Sequence, residues 1–178
     1  AGVLSGCVSN VTVKKPLKFG TSGDKIHKAV GVYLAPETLT RKYESRYIRM
    51  WLGDVLDRNI VASLGEVIDN VVRVKTPDSF GNGVDEIIII SFNSGTKIQA
   101  PMTVFGELTS HIKLDCVIKM ADGKVVWQGN GVGEGRRGIA STFFFGQIAL
   151  YSVVENVIKI SMTDALEDLS KNIQTEWK

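Results

Sequence analysis

The chain is poor in the residues on which most site chemistry depends. Its 178 residues include two histidines, two cysteines and four prolines. So few histidines exclude most histidine-built metal and acid–base sites. The two cysteines lack a C-x-x-C spacing, which excludes zinc-ribbon and thioredoxin-like chemistry. No H-E-x-x-H, nucleophile elbow, EF-hand loop or phosphate loop occurs. A surplus of one charge sign is missing too: 21 Lys+Arg against 19 Asp+Glu leave +2. The electrostatic case for a nucleic-acid partner therefore falls away. What remains, 44% hydrophobic and 22% charged residues, is an ordinary globular composition at a length suited to one domain. The expectation is no enzyme, no cofactor and no metal.

The informative segment is at the N-terminus. Ala1-Gly2-Val3-Leu4-Ser5-Gly6-Cys7 is a small, apolar run that stops at a cysteine and gives way to Val8-Ser9-Asn10 and Lys14-Lys15-Pro16. An intact secretory signal would have a basic start and a longer apolar stretch. Leu4-Ser5-Gly6-Cys7 instead resembles the lipobox that closes the signal peptide of bacterial lipoproteins. Small side chains at Ser5 and Gly6 would admit a peptidase to the bond before Cys7, and the Cys7 thiol would accept the diacylglycerol. The resemblance implies a signal-peptide remnant over 1–6, a lipidated tether over 7–25 and a single domain over 26–178. The tether carries the lysines, glycines and proline of an extended linker. Val8, rather than Asp, after the cysteine implies sorting to the outer membrane of a Gram-negative bacterium. There the protein would sit at the periplasmic face, held by its acyl chains.

Hydrophobic periodicity organises the rest. Ala29–Leu34 reads as a buried strand. From about Tyr47, the residues Ile48, Leu52, Val55, Leu56, Ile60, Leu64 and Val67 step at helical intervals, with Gly53 free to pack closely and Gly65 near the helix end. Val71–Val74 is a short strand, and Ile87–Ile90, apolar throughout, reads as a central strand buried on both faces. Leu108, Ile112, Leu114, Cys116, Ile118 and Met120 alternate with Thr109, His111, Lys113, Asp115 and Lys119, which marks a long strand with one wet face. Cys116 is thereby a small core residue and His111 a surface one, as is His27. Asp122-Gly123 turns the chain into Val125–Gln128. Ile148 to Ile173 again steps helically, and Glu155, Lys159, Glu167, Asp168 and Lys171 on its polar side argue against a membrane span. These elements predict an α+β domain: one mainly antiparallel sheet covered by two helices.

Gly129-Asn130-Gly131-Val132-Gly133-Glu134-Gly135 lacks the strand–turn–helix context of a dinucleotide loop. Its glycines read instead as a place where another backbone approaches. Beyond it stand Arg136 and Arg137, then Phe143, Phe144 and Phe145. Neither strand nor helix points three successive aromatics to one side, so part of that cluster is expected at the surface or under a partner. Aromatic and arginine residues together mark protein interfaces. Trp51, Trp127 and Trp177 read as core or core-edge residues. The order of elements is similar to that of small α+β lipoproteins of curli and exopolysaccharide secretion, which implies self-assembly. The expected function is a structural or assembly component of an envelope or secretion complex, with envelope proteins or copies of itself as partners. A carrier of lipid or glycan fragments is the alternative, and an envelope hydrolase the third reading.

Overall fold

The computed structural model describes residues 9–20, 23–45, 48–81, 83–99, 106–138 and 147–177. In chain order the elements are β1 (Ser9–Val11), β2 (Ile26–Leu34), α1 (Pro36–Leu39), β3 (Lys42–Glu44), β4 (Ile48–Trp51), α2 (Leu52–Gly65), β5 (Ile68–Arg73), β6 (Glu86–Phe92), β7 (Lys97–Gln99), β8 (Glu107–Met120), β9 (Val125–Gly138) and α3 (Gln147–Glu176). The α+β class holds, but the single sheet and the two helices do not. Among the described residues there are two mixed sheets and three helices. In the small sheet, β4 lies between β1, parallel to it, and β3, antiparallel to it. In the large sheet β2 is parallel to both β5 and β6, and β8 is antiparallel to β6, β7 and β9.

The alternation in β8 sets which face is dry. Leu108, Ser110, Ile112, Leu114, Cys116 and Ile118 are all buried beneath the helices, and the residues between them are half-buried on the other side. Gly123, at φ 83°, makes the turn into β9. That strand then continues to Gly138 instead of ending near Gln128, because its glycines do not break it. A Cβ on Gly131, Gly133 or Gly135 would overlap the carbonyl oxygens of Ala165, Ser161 and Val157 respectively. Four helical residues rise about 6 Å and two strand residues about 6.7 Å. The two backbones therefore stay in step over three contacts, and α3 lies directly on the strand. Ser161 donates to Ser110 at 2.9 Å beneath the same contact.

β9 is an edge strand, and α3 partly covers its free edge. The Val132 N–H donates to Asp168 Oδ2 (2.9 Å), and Asn172 Nδ2 donates to the Asn130 carbonyl (2.9 Å). Asp168 is one of the polar residues the periodicity assigned to the outside of the helix, and Asn172 lies one turn further on. They satisfy backbone groups that would otherwise template pairing with another chain.

α2 begins four residues later than the periodicity indicates. Ile48 and Met50 are buried by alternation in β4, between β1 and β3, before the helix starts. Gly53 packs not on a sheet but on α1, where a Cβ would overlap the carbonyl oxygens of Leu39 and Thr38. The isoleucine run behaves as expected of a central strand. Ile88 and Ile90 face the helices, while Ile87 is fully buried on the opposite face, where Val74 and Val84 close over Gly31.

Residues 10–20 are not a free tether. Val11, Val13 and Leu17 join the core, each contributing up to about 1.5–3 kcal/mol. The Leu17 N–H donates to Asn59 Oδ1 (2.9 Å), Arg58 donates to the Val13 carbonyl (3.2 Å), and the Gly20 N–H donates to Glu167 Oε1 (3.2 Å). The segment thus straps α2 to α3 on the side away from the large sheet. At the far end, Lys28 Nζ lies 3.2 Å from Glu86 Oε1 and 4.4 Å above the Trp177 ring, fixing the end of the chain onto β2 and β6.

Candidate functional site

Helices cover one face of the large sheet. On the other face β7, β8 and β9 stay open, and their side chains form a shallow concavity of about 620 Å³. Two cross-strand rows build it. Lys97, His111 and Glu134 are successive partners across the three strands, as are Gln99, Thr109 and Arg136. Glu134 holds the centre, with His111 Nδ1 at 3.4 Å from Oε1 and Arg136 Nη2 at 3.2 Å from Oε2. The hydrogen bond from Arg136, then that from His111, keeps the Glu134 carboxyl below its ordinary pKa of 4.5. One end is walled by the turn between β6 and β7. There Asn93 donates to Asp115 Oδ2 (2.7 Å), and Thr96 Oγ1 both accepts from the Lys113 N–H (3.0 Å) and donates to the Lys113 carbonyl (2.9 Å).

This surface can receive carboxylates, phosphates or hydroxyls from a partner, because its cations and amides are donors on a solvated sheet. It shows no nucleophile paired with a base. Among the described residues, no group of three or more His, Cys, Asp or Glu is placed to hold a metal ion. A second groove of about 220 Å³ runs between the end of α2 and α3, bordered by Phe19, Val67 and Ser170. It is smaller than the roughly 300–1,000 Å³ of ordinary ligand pockets.

Of the expected interface residues, Arg136 and Arg137 are described. Arg136 lies in the open concavity, but Arg137 pairs opposite Leu108, so the alternation of the strand sends its side chain toward the other face. Cys7, Phe143, Phe144 and Phe145 lie outside the described residues. Lys97, Gln99, Asn93 and Lys113 were not singled out from the sequence. The signal that could have found them is the wet register Thr109, His111, Lys113, once a neighbouring strand is known to pair with it. Trp127 and Trp177 are buried, as read from the sequence, whereas Trp51 is 37% exposed. No helix of the described residues is long and apolar enough to cross a membrane.

No family model and no curated protein sequence matches the chain. Its fold, however, is shared with two solved bacterial proteins, one of them named as a lipoprotein. A Xanthomonas campestris protein of the family DUF330 superposes with a TM-score of 0.53 at 12% identity, over 96% of this chain and 99% of its own. A candidate lipoprotein of Caulobacter crescentus CB15 gives 0.52 at 13% identity, over 82% and 88%. A minor lipoprotein of Acinetobacter baumannii gives 0.47 at 12%, over 84% and 92%. At such identities the first two establish a common fold.

Proposed function

We propose that this chain is a lipid-anchored protein of the Gram-negative envelope, held by Cys7 at the periplasmic face of the outer membrane, where it serves as a structural or assembly component. The observation that carries the reading is the fold shared with a candidate lipoprotein, in a chain whose own Leu4-Ser5-Gly6-Cys7 matches a lipobox. The open face of the large sheet supports the assembly role. It offers Lys97, Lys113 and Arg136 to a partner without a catalytic pair among them. The carrier reading loses its support, because the space between sheet and helices is filled by side chains such as Ile88, Cys116 and Met162, all fully or nearly fully buried. Mass spectrometry of the native protein tests the anchor. Acylated Cys7 at the N-terminus is the expected result, and an unmodified thiol with residues 1–6 attached would overturn it. The assembly role is tested by light scattering of the acylated protein in detergent. A monomer whose mass is unchanged by Arg136→Glu, with no envelope protein crosslinked from Lys97 or Lys113, would count against it.

A further inference from the structure

The small sheet has one dry and one wet face. Val11, Ile48 and Met50 are buried together, whereas Asn10, Lys42, Glu44 and Trp51 are exposed on the other side with the half-buried Arg49. Cross-strand pairing orders that wet face into two rows, Lys42 beside Trp51 and Glu44 beside Arg49 and Asn10. Lys42 Nζ lies 2.7 Å from Glu44 Oε2 and 5.7 Å from the Trp51 ring centroid, and Arg49 pairs with the same carboxylate through Nε (2.9 Å) and Nη2. Two cations, Lys42 and Arg49, thus flank one acid. A tryptophan held beside lysine and arginine is the composition of a membrane–water interface.

The first described strand, which begins two residues after Cys7, belongs to this sheet. β1 is parallel to β4 with Ser9 opposite Ile48, so β1 starts at the Ile48 end of the sheet, and Trp51, opposite Lys42, lies three residues further along β4. Cys7 is two residues upstream of Ser9, a reach of about 7 Å even when fully extended. We infer that the wet face of the small sheet, through Lys42, Arg49 and Trp51, lies on the anionic phospholipid surface into which the acyl chains of Cys7 insert. The inference rests on the anchored reading proposed above. It deepens that reading by fixing which side of the body meets the bilayer. The open concavity of the large sheet is then left free for a partner.

The test supplies the anchor chemically, so it does not depend on what the cell attaches. Cys116 is buried and its thiol pKa is raised by desolvation, which leaves Cys7 as the thiol to couple, in the purified full chain, to a maleimide lipid in preformed vesicles. Trp127 and Trp177 are buried, so brominated phospholipids report on Trp51. The expected result is quenching of Trp51 on vesicles containing phosphatidylglycerol, weakened by salt and on phosphatidylcholine alone. Without coupling, Lys42→Glu with Arg49→Glu should lower partitioning onto phosphatidylglycerol vesicles at least tenfold, since each basic residue at such a surface contributes about 1 kcal/mol. A charge-matched change on the open face, Lys97→Glu with Lys113→Glu, should leave it unchanged. Coupled chain whose Trp51 is not quenched, or equal losses from both pairs of changes, would overturn the inference. An unmodified Cys7 in the native protein would overturn the anchored reading instead, whatever the vesicles show.

Discussion

The α-carbon of Gly133 rests against the carbonyl oxygen of Ser161, so a β-strand and an α-helix meet there with no side chain between them. Gly133→Ala should therefore destabilise the fold by about 1–3 kcal/mol through overpacking against rigid backbone. Gly131→Ala and Gly135→Ala should behave alike. Gly138→Ala, at the end of the same strand with open space around it, should be near neutral. Urea unfolding of the four variants checks this, and equal midpoints would sink the idea.

The two glycines of α2 should respond with opposite signs. Gly65 has open space where a Cβ would go, so Gly65→Ala should stabilise the helix by about 0.5–1 kcal/mol. Gly53→Ala gains the same propensity but drives a methyl into the carbonyls of Thr38 and Leu39, and the loss should dominate. Thermal denaturation of both variants gives the comparison. Parallel shifts would show that packing on α1 is not what holds Gly53.

Lys28→Ala should cost about 1–2 kcal/mol. It leaves the Glu86 carboxylate, 11% exposed, without its ion pair, and it uncovers the Trp177 ring. Lys28→Ala combined with Glu86→Gln should recover part of the loss, because no unpaired charge then stays buried. A double-mutant cycle with no coupling energy would refute the bridge.

His27 and Asp69 make a pH-dependent clasp between β2 and β5, with Nδ1 and Oδ2 2.5 Å apart. The hydrogen bond to Asp69, then its charge, raises the His27 pKa above 6.5. A raised folded-state pKa means the contribution is full below pH 6.5 and fades as pH climbs through the raised value. Ring titration by NMR should place His27 above 6.5, and Asp69→Asn should bring it back down. An unmoved titration in that variant would count against the pair.

Burial raises the Cys116 thiol pKa, so the native chain should expose one thiol to aqueous reagents, that of Cys7 when it is unmodified. A colorimetric thiol assay should count one group in buffer and two in denaturant. Two reactive thiols in the folded chain would contradict the core placement of Cys116.

Legibility in the sequence followed the range of the interactions. The β8 alternation, the turn at Gly123 and the helical step of α3 are local patterns, and they were readable because each recurs over many residues. Residues 48–51 were drawn into α2 because Ile48 and Leu52 are also four apart. Of the partners that make them a strand, β1 lies far upstream, and β3, though adjacent, is the short polar Lys42-Tyr43-Glu44, which carries no hydrophobic alternation. Val11, Val13 and Leu17 show no run at all, so their burial against α2 and α3 had no local signature. Gly131, Gly133 and Gly135 look like chain breakers until the helix they admit is known. The open concavity was half visible. His111 and Lys113 declared a wet face, but only the pairing of β7 and β9 with β8 brings Lys97, Glu134 and Arg136 beside them.

The parallel pairing of β1 with β4 has a mechanical consequence. A pull applied to β1 along its own axis would load its bonds to β4 in shear, so that they share the force. A pull across the strand would open them one at a time. Behind them the strap passes the load to Asn59 in α2 and Glu167 in α3, so a tug on the N-terminus is taken up by both helices before it reaches β2.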